Sequence, residues 1–180
     1  MYSLKNLDAK SIKSIEADWI EQININDDSN LELTVSNFDH IISSNSFGDL
    51  LQRSNLATYI AVIDSEADKV IAITEVIFAR QGAKTICKIM EVFHAPSISA
   101  LEDEEYQAES AKILISILGY MLEINKSTNH GITKIFARDD AAQYTIKKFH
   151  DHADKQSFRD LLGFEVRLQG HQWLEFKKIS

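Results

Sequence analysis

Apolar residues recur along the chain with two periods, and the switches between them mark out its elements. Ile12, Ile15, Trp19 and Ile23 fall three or four residues apart, the spacing of one helix face. Asp8 just before them suits an N-cap, and Tyr2 to Leu7 ahead of it reads as a short strand. After a polar loop, Asn24 to Asn30, Val35, Phe38, Ile41 and Ile42 repeat the helical period behind Thr34, and Ser43-Ser44-Asn45-Ser46 breaks it. A short helical turn around Phe47, Leu50 and Leu51 follows. The period then shortens. Tyr59 to Ile63, Val70 to Ala79 and Thr85 to Phe93 are β-like runs joined by polar turns at 64–68 and 81–83, which predicts an antiparallel meander.

Ser110 to Asn125 returns to the helical period. Ile113, Leu114, Ile117, Leu118, Met121 and Ile124 give it an apolar face wide enough for a helix buried on a sheet. Ile132 to Ala137 is a short buried strand, and the helical crossover that reaches it predicts parallel pairing with the strand before. Ala141 to Phe149 reads as a helix, with His150 to Gln156 as loop or extension. Phe158, Leu161 and Leu162 resume an apolar face. Phe164 to Leu168 alternates as a strand, Gln169-Gly170 turns the chain, and Trp173, Leu174, Phe176 and Ile179 belong to a closing strand. The order β-α-α-β-β-β-α-β-α-β-β predicts one α/β domain over 1–180, a mixed sheet with helices on both faces.

Charge narrows the function classes. Net charge is −8, with no basic run, which argues against nucleic acid as partner. Residues 1–137 hold 11 Lys+Arg against 20 Asp+Glu, and residues 138–180 hold 8 against 7, so the last quarter is the one anion-attracting surface, and a weak one. No apolar run reaches membrane-spanning length and no signal core opens the chain, so the expected location is cytoplasmic and no membrane is a partner. The single cysteine, Cys87, reads as a small buried hydrophobe. His150-Asp151-His152 lacks the spacing of a metal site, because i and i+2 do not share a helix face.

The order of elements, over essentially the whole chain, resembles the GNAT (Gcn5-related N-acetyltransferase) superfamily. Leu162-Gly163-Phe164 and the hairpin ending in Trp173-Leu174 are similar to that family's ending. Val92-Phe93-His94-Ala95-Pro96 is similar to its exit from the fourth strand, with one residue extra. The resemblance implies a GNAT-like acyl-CoA N-acyltransferase fold, with acetyl-CoA or another acyl-CoA as co-substrate and no metal. It puts the backbone of Val92, Phe93 and His94 against the thioester and pantetheine. The family's pyrophosphate motif, [Q/R]-x-x-G-x-[G/A], falls on Glu105 to Ser110, so Gln107, Ala108 and Ser110 would cradle phosphate, with Glu105 in the place of Gln or Arg. Asp139 stands where the family has Asn after its fifth strand segment. The family's general-acid Tyr on the fourth helix falls on Arg159 or on Ile146, depending on the anchor, and Tyr144 lies close by.

Acyl transfer to an amine needs a base, a polarised carbonyl and an acid for the leaving thiolate. Glu91, in an otherwise apolar strand, is the first candidate base, with Glu75 and His94 behind it; Tyr144 is the candidate acid. Each also has an ordinary reading: an exposed or ion-paired strand carboxylate, a solvated loop histidine, an amphipathic helix position. The acidic run Glu102 to Glu105 would repel phosphate. Three functions therefore stay open. The first is an acyl-CoA-dependent, most simply acetyl-CoA-dependent, N-acyltransferase acting on a small-molecule or peptide amine. The second is a catalytically degenerate binding or regulatory module of the same fold. The third takes acyl groups from acyl carrier protein, which net charge disfavours. Whether the chain forms a homodimer is also open.

Overall fold

The computed structural model describes residues 2–26, 31–52, 55–82, 84–126, 131–152 and 155–179. β1 (Tyr2–Asn6) leads into α1 (Ala9–Asn26) through a reciprocal cap. Asp8 Oδ1 accepts from the N–H groups of Lys10 and Ser11 at 3.0 and 2.7 Å, and Ser11 Oγ accepts from the Asp8 N–H at 3.0 Å. α2 (Leu31–Ser44) precedes the meander β2 (Ala57–Asp64), β3 (Lys69–Gln81) and β4 (Lys84–His94). A single turn, α3 (Pro96–Ser99), and the long α4 (Asp103–Lys126) cross to β5 (Gly131–Phe136). α5 (Asp140–His152), a turn α6 (Lys155–Ser157) and a π-helical turn Phe158–Leu162 lead to β6 (Phe164–Gln169) and β7 (Trp173–Lys178).

The sheet order is β1-β2-β3-β4-β5-β7-β6. Every neighbouring pair is antiparallel except β4–β5, as a helical crossover requires. α2 lies on the face that carries Tyr59, which hydrogen-bonds Ser44 at the end of that helix. α4 lies on the opposite face, tied down by Asn125. That side chain is fully buried, accepts from Thr85 Oγ1 at 3.0 Å, and donates to the Ile132 carbonyl at 2.9 Å and Thr133 Oγ1 at 2.6 Å. One residue thus joins the helix to both parallel strands. Trp19 and Phe38 meet edge to face at 5.2 Å and hold α1 to α2.

Two irregularities shape the middle of the sheet. Glu75 pairs with Glu91 but Val76 pairs with Ile89, so Met90 is an extra residue and β4 bulges there. The β4–β5 ladder runs from Thr85–Gly131 to Ile89–Ile135 and stops at that bulge. Beyond it β4 continues to His94 against β3 alone, and β5 finishes against β7. The C-terminal ends of β4 and β5 are therefore not paired with each other, and this unpaired stretch, the gap, lies where open α/β sheets bind ligands.

Several boundaries differ from the sequence expectation. α4 begins at Asp103 rather than near Ser110, because the acidic run is the first turn of a helix and not a loop. Carboxylates there are favoured by the helix dipole. Pro96 opens a turn of helix, as proline at the first position does. α1 runs on through Asn26 and α2 starts at Leu31, which puts Thr34 inside it; residues 27–30 lie outside the described set. α5 extends to His152 and takes in His150. Leu161 and Leu162 are exposed on the π-helical turn instead of facing the core, and the Phe158 side chain lies outside the described set. Among the described residues no helix is long and apolar enough to cross a membrane.

Candidate active site

The register places Tyr59, Glu75 and Glu91 side by side across β2, β3 and β4. All three lie on the α2 face, level with the start of the gap. Tyr59 is buried; burial first, then the Glu75 charge, pushes its phenol up and keeps it protonated. Glu91 is held by Arg138, whose Nη1 donates to both carboxylate oxygens at 2.8 Å. Arg138 follows β5, so this ion pair reaches across the mouth of the gap. Glu75 has no hydrogen-bond or ion-pair partner among the described residues. Burial, and next the Glu91 charge, push its carboxyl above the usual range, against opposing pulls from His40 and Arg138.

The neighbouring strands add a charged row on the same face. Glu175 accepts from Arg167 at 2.6 Å and pairs with Lys134 at 3.0 Å. Lys88 and Lys134 sit 5.8 and 5.9 Å from the Trp173 ring centroid, and Trp173 packs on Phe136 at 4.8 Å. The β5–β7 side of the gap thus carries the aromatic pair Phe136 and Trp173, and the β3–β4 side carries Glu75 and Glu91.

Backbone direction matters as much as side chains. The Ala95 N–H donates to the Ile71 carbonyl at 2.9 Å, toward β3. Antiparallel alternation then sends the Phe93 N–H toward β3 as well, and turns the Val92 and His94 N–H groups into the gap. The Phe93 side chain is buried. His94 is on the α4 face, where its Nδ1 lies 3.3 Å from the Tyr106 hydroxyl and burial lowers its proton affinity.

No family model matches the chain, and no curated protein matches it. Solved structures do. A mutant AtaT toxin bound to the C-terminus of the antitoxin AtaR is 11% identical, with 98% of this chain and 92% of that chain covered at a TM-score of 0.50. A GNAT-family acetyltransferase from Listeria monocytogenes is 7% identical, with 98% and 94% covered at 0.43. An N-acetyltransferase from Staphylococcus aureus is 11% identical, with 99% and 97% covered at 0.41. The chain shares the fold of the first of these, a mixed α/β sheet with helices packed on it. Identities this low carry the architecture and leave the reaction to the chain's own residues.

On that fold the remaining sequence candidates fall as follows. Gln107 and Ala108 are exposed on α4, one turn inside the helix, so their N–H groups belong to it. The Ser110 Oγ is buried with no partner among the described residues. The Tyr106 N–H is already bonded to the Glu102 carbonyl at 2.7 Å, so the free amides of α4 are those of three acidic residues, Asp103, Glu104 and Glu105. Asp139 accepts from the Ala142 N–H at 2.8 Å and caps α5. Tyr144 is 59% exposed and lines a pocket of about 150 Å³ with Gln143, Lys147, Leu168, Gly170 and His171, under the β6–β7 turn. Ile146 is buried in the core, and Arg159 is exposed on the π-helical turn. Burial pushes the Cys87 thiol up to about 12, which suits packing and not nucleophilic chemistry. No metal-binding cluster occurs among the described residues, and the His152 side chain lies outside them.

Sequence reasoning missed Arg138 and Tyr59. The signal for Arg138 was an arginine at the exit of the strand parallel to the one bearing Glu91. Tyr59 needed the exact pairing of β2 with β3, which no periodicity supplies.

Proposed function

We propose that the protein is an acyl-CoA-dependent N-acyltransferase, with acetyl-CoA the simplest donor and a small-molecule or peptide amine as acceptor. The observation that carries this reading is the gap between β4 and β5, with the Val92 and His94 amides turned into it and the carboxylates of Glu75 and Glu91 at its mouth. Backbone donors in a gap of this kind suit the amides of a pantetheine arm, and a carboxylate at its mouth suits an ammonium. When bound, acyl-CoA would supply the carbonyl carbon that the amine attacks. The chain's own residues orient that carbon and manage the amine's proton. The phosphate end fits less well, because the three residues that bear the free amides of α4 are all acidic. Those side chains are exposed, so solvent and salt soften their repulsion of phosphate.

A second reading keeps the fold and drops the catalysis. It is favoured by Ile146 at one of the positions of the expected acid and by Tyr144 pointing into a pocket under the β6–β7 turn. Thermal unfolding in millimolar acetyl-CoA separates the two. A ligand present at a hundred times its Kd stabilises by about 2.7 kcal/mol, so a clear rise in Tm is expected. No rise at any concentration up to millimolar would leave the non-catalytic module as the better account.

A further inference from the structure

We propose that Glu75, and not Glu91, is the carboxylate that takes the proton from the acceptor ammonium, while Arg138 holds Glu91 out of that role. The purpose of the step rests on the acyl-transfer reading above; the arrangement of the residues does not.

A carboxylate takes a proton most readily when no cation already holds it. Both oxygens of Glu91 already accept from Arg138 Nη1 at 2.8 Å. A proton on Glu91 would weaken this charge-assisted contact, which opposes that role. Glu75 is its cross-strand neighbour and has no such partner among the described residues. The groups that face Glu75 are Tyr59 from β2, Glu91 from β4, His40 from α2 and Arg138 from the segment after β5. Tyr59 is buried, hydrogen-bonded to Ser44 and kept neutral by its surroundings, so it forms one wall of the row and does not compete for the proton. Half-burial and the Glu91 charge raise the proton affinity of Glu75, the direction a base acting near neutral pH requires.

The step balances simply. One N–H bond of the ammonium breaks, an O–H bond forms on Glu75, and the nitrogen keeps the electron pair with which it acts as nucleophile. The proton passes to water once the site is open again.

The test uses the full chain with its glutamate carboxyl carbons labelled with ¹³C, the Glu75 signal assigned by Glu75→Gln, and propylammonium as the probe. The Glu75 carboxyl is expected to titrate above the usual range and to move down when propylammonium is added, because a bound cation favours the ionised form. Glu91→Gln should move it down in the free protein, and Arg138→Ala should move it up. A Glu75 signal indifferent to propylammonium, or a response confined to Glu91, overturns the proposal. Initial rates with acetyl-CoA and propylamine give a second readout. Glu75→Gln should lower kcat/KM at pH 7 by roughly a hundredfold and flatten the acidic limb of the pH profile, with Glu91→Gln costing less than about tenfold. The reverse ranking overturns it as well. Acetyl-CoA binding is measured separately by calorimetry. Its absence sinks the acyl-transfer reading, while the carboxyl response to propylammonium still decides this one.

Discussion

Glu75 and Glu175 lie on the same face of one sheet, yet their surroundings move them in opposite directions. Burial works to raise both. At Glu175 the hydrogen bonds from Lys134 and Arg167 outweigh it and hold the carboxyl below its ordinary range. The stabilisation from Glu175 is therefore present above the unfolded carboxylate range and fades as pH falls through its lowered pKa. Glu75 has no compensating donor, and its folded pKa is raised. Below the unfolded pKa its carboxyl is neutral in both states; as pH rises through the folded pKa, stability is lost. Glu75→Gln is accordingly expected to raise Tm at pH 7 and to leave it unchanged at pH 4, read by calorimetry at both values. An unchanged Tm at pH 7 would mean that water already solvates this carboxylate. The identity of Glu91 as a strand carboxylate was legible from the sequence, because it interrupts an apolar run. Its partner was not, since Arg138 lies 47 positions away and meets it only through the parallel register.

The element that most changes between sequence and structure is α4. The wide apolar face from Ile113 to Ile124 marked the helix, but its start was hidden, because Glu102 to Glu105 look like a solvated loop until they are placed at the positive end of a helix. That placement turns a phosphate question into an electrostatic one. Glu105→Gln removes one carboxylate from beside the free amides and should tighten acetyl-CoA binding roughly two- to fivefold, an effect that shrinks with added salt. Calorimetric titration at low and high salt checks both. The other end of α4 carries Asn125, which bonds Thr85 and Thr133 at once. Asn125→Leu keeps the number of side-chain heavy atoms but removes the bonds to Thr85 Oγ1, Thr133 Oγ1 and the Ile132 carbonyl from a buried site. A loss of about 2–3 kcal/mol is expected, visible as a lower urea midpoint. Asn125 looked from the sequence like the last polar residue of a helix, and only the packing of α4 over two strands makes it a joint.

For the molecule as a whole, the alternation of periods carried the order of all seven strands and of the principal helices, and the helical crossover carried the parallel pair. The bulge at Met90 was not legible. An extra residue leaves no mark on composition and a single phase shift in an apolar run, yet it coincides with the end of the β4–β5 ladder and so sets where the gap begins.

An open sheet of seven strands ought to have two rims, and here these are β1 and β6. The halted ladder gives this one a third, in its interior. Strand rims offer unpaired amides to any extended chain that reaches them, and the usual defences of a rim, lysine or proline along it, are absent from Val92 to His94. Amide hydrogen exchange should expose it directly. Cys87 and Ile89 on the laddered side should be protected to the level of global unfolding, while Val92 and His94, beyond the bulge on the same central strand, should exchange like loop amides until something with carbonyl groups settles between β4 and β5.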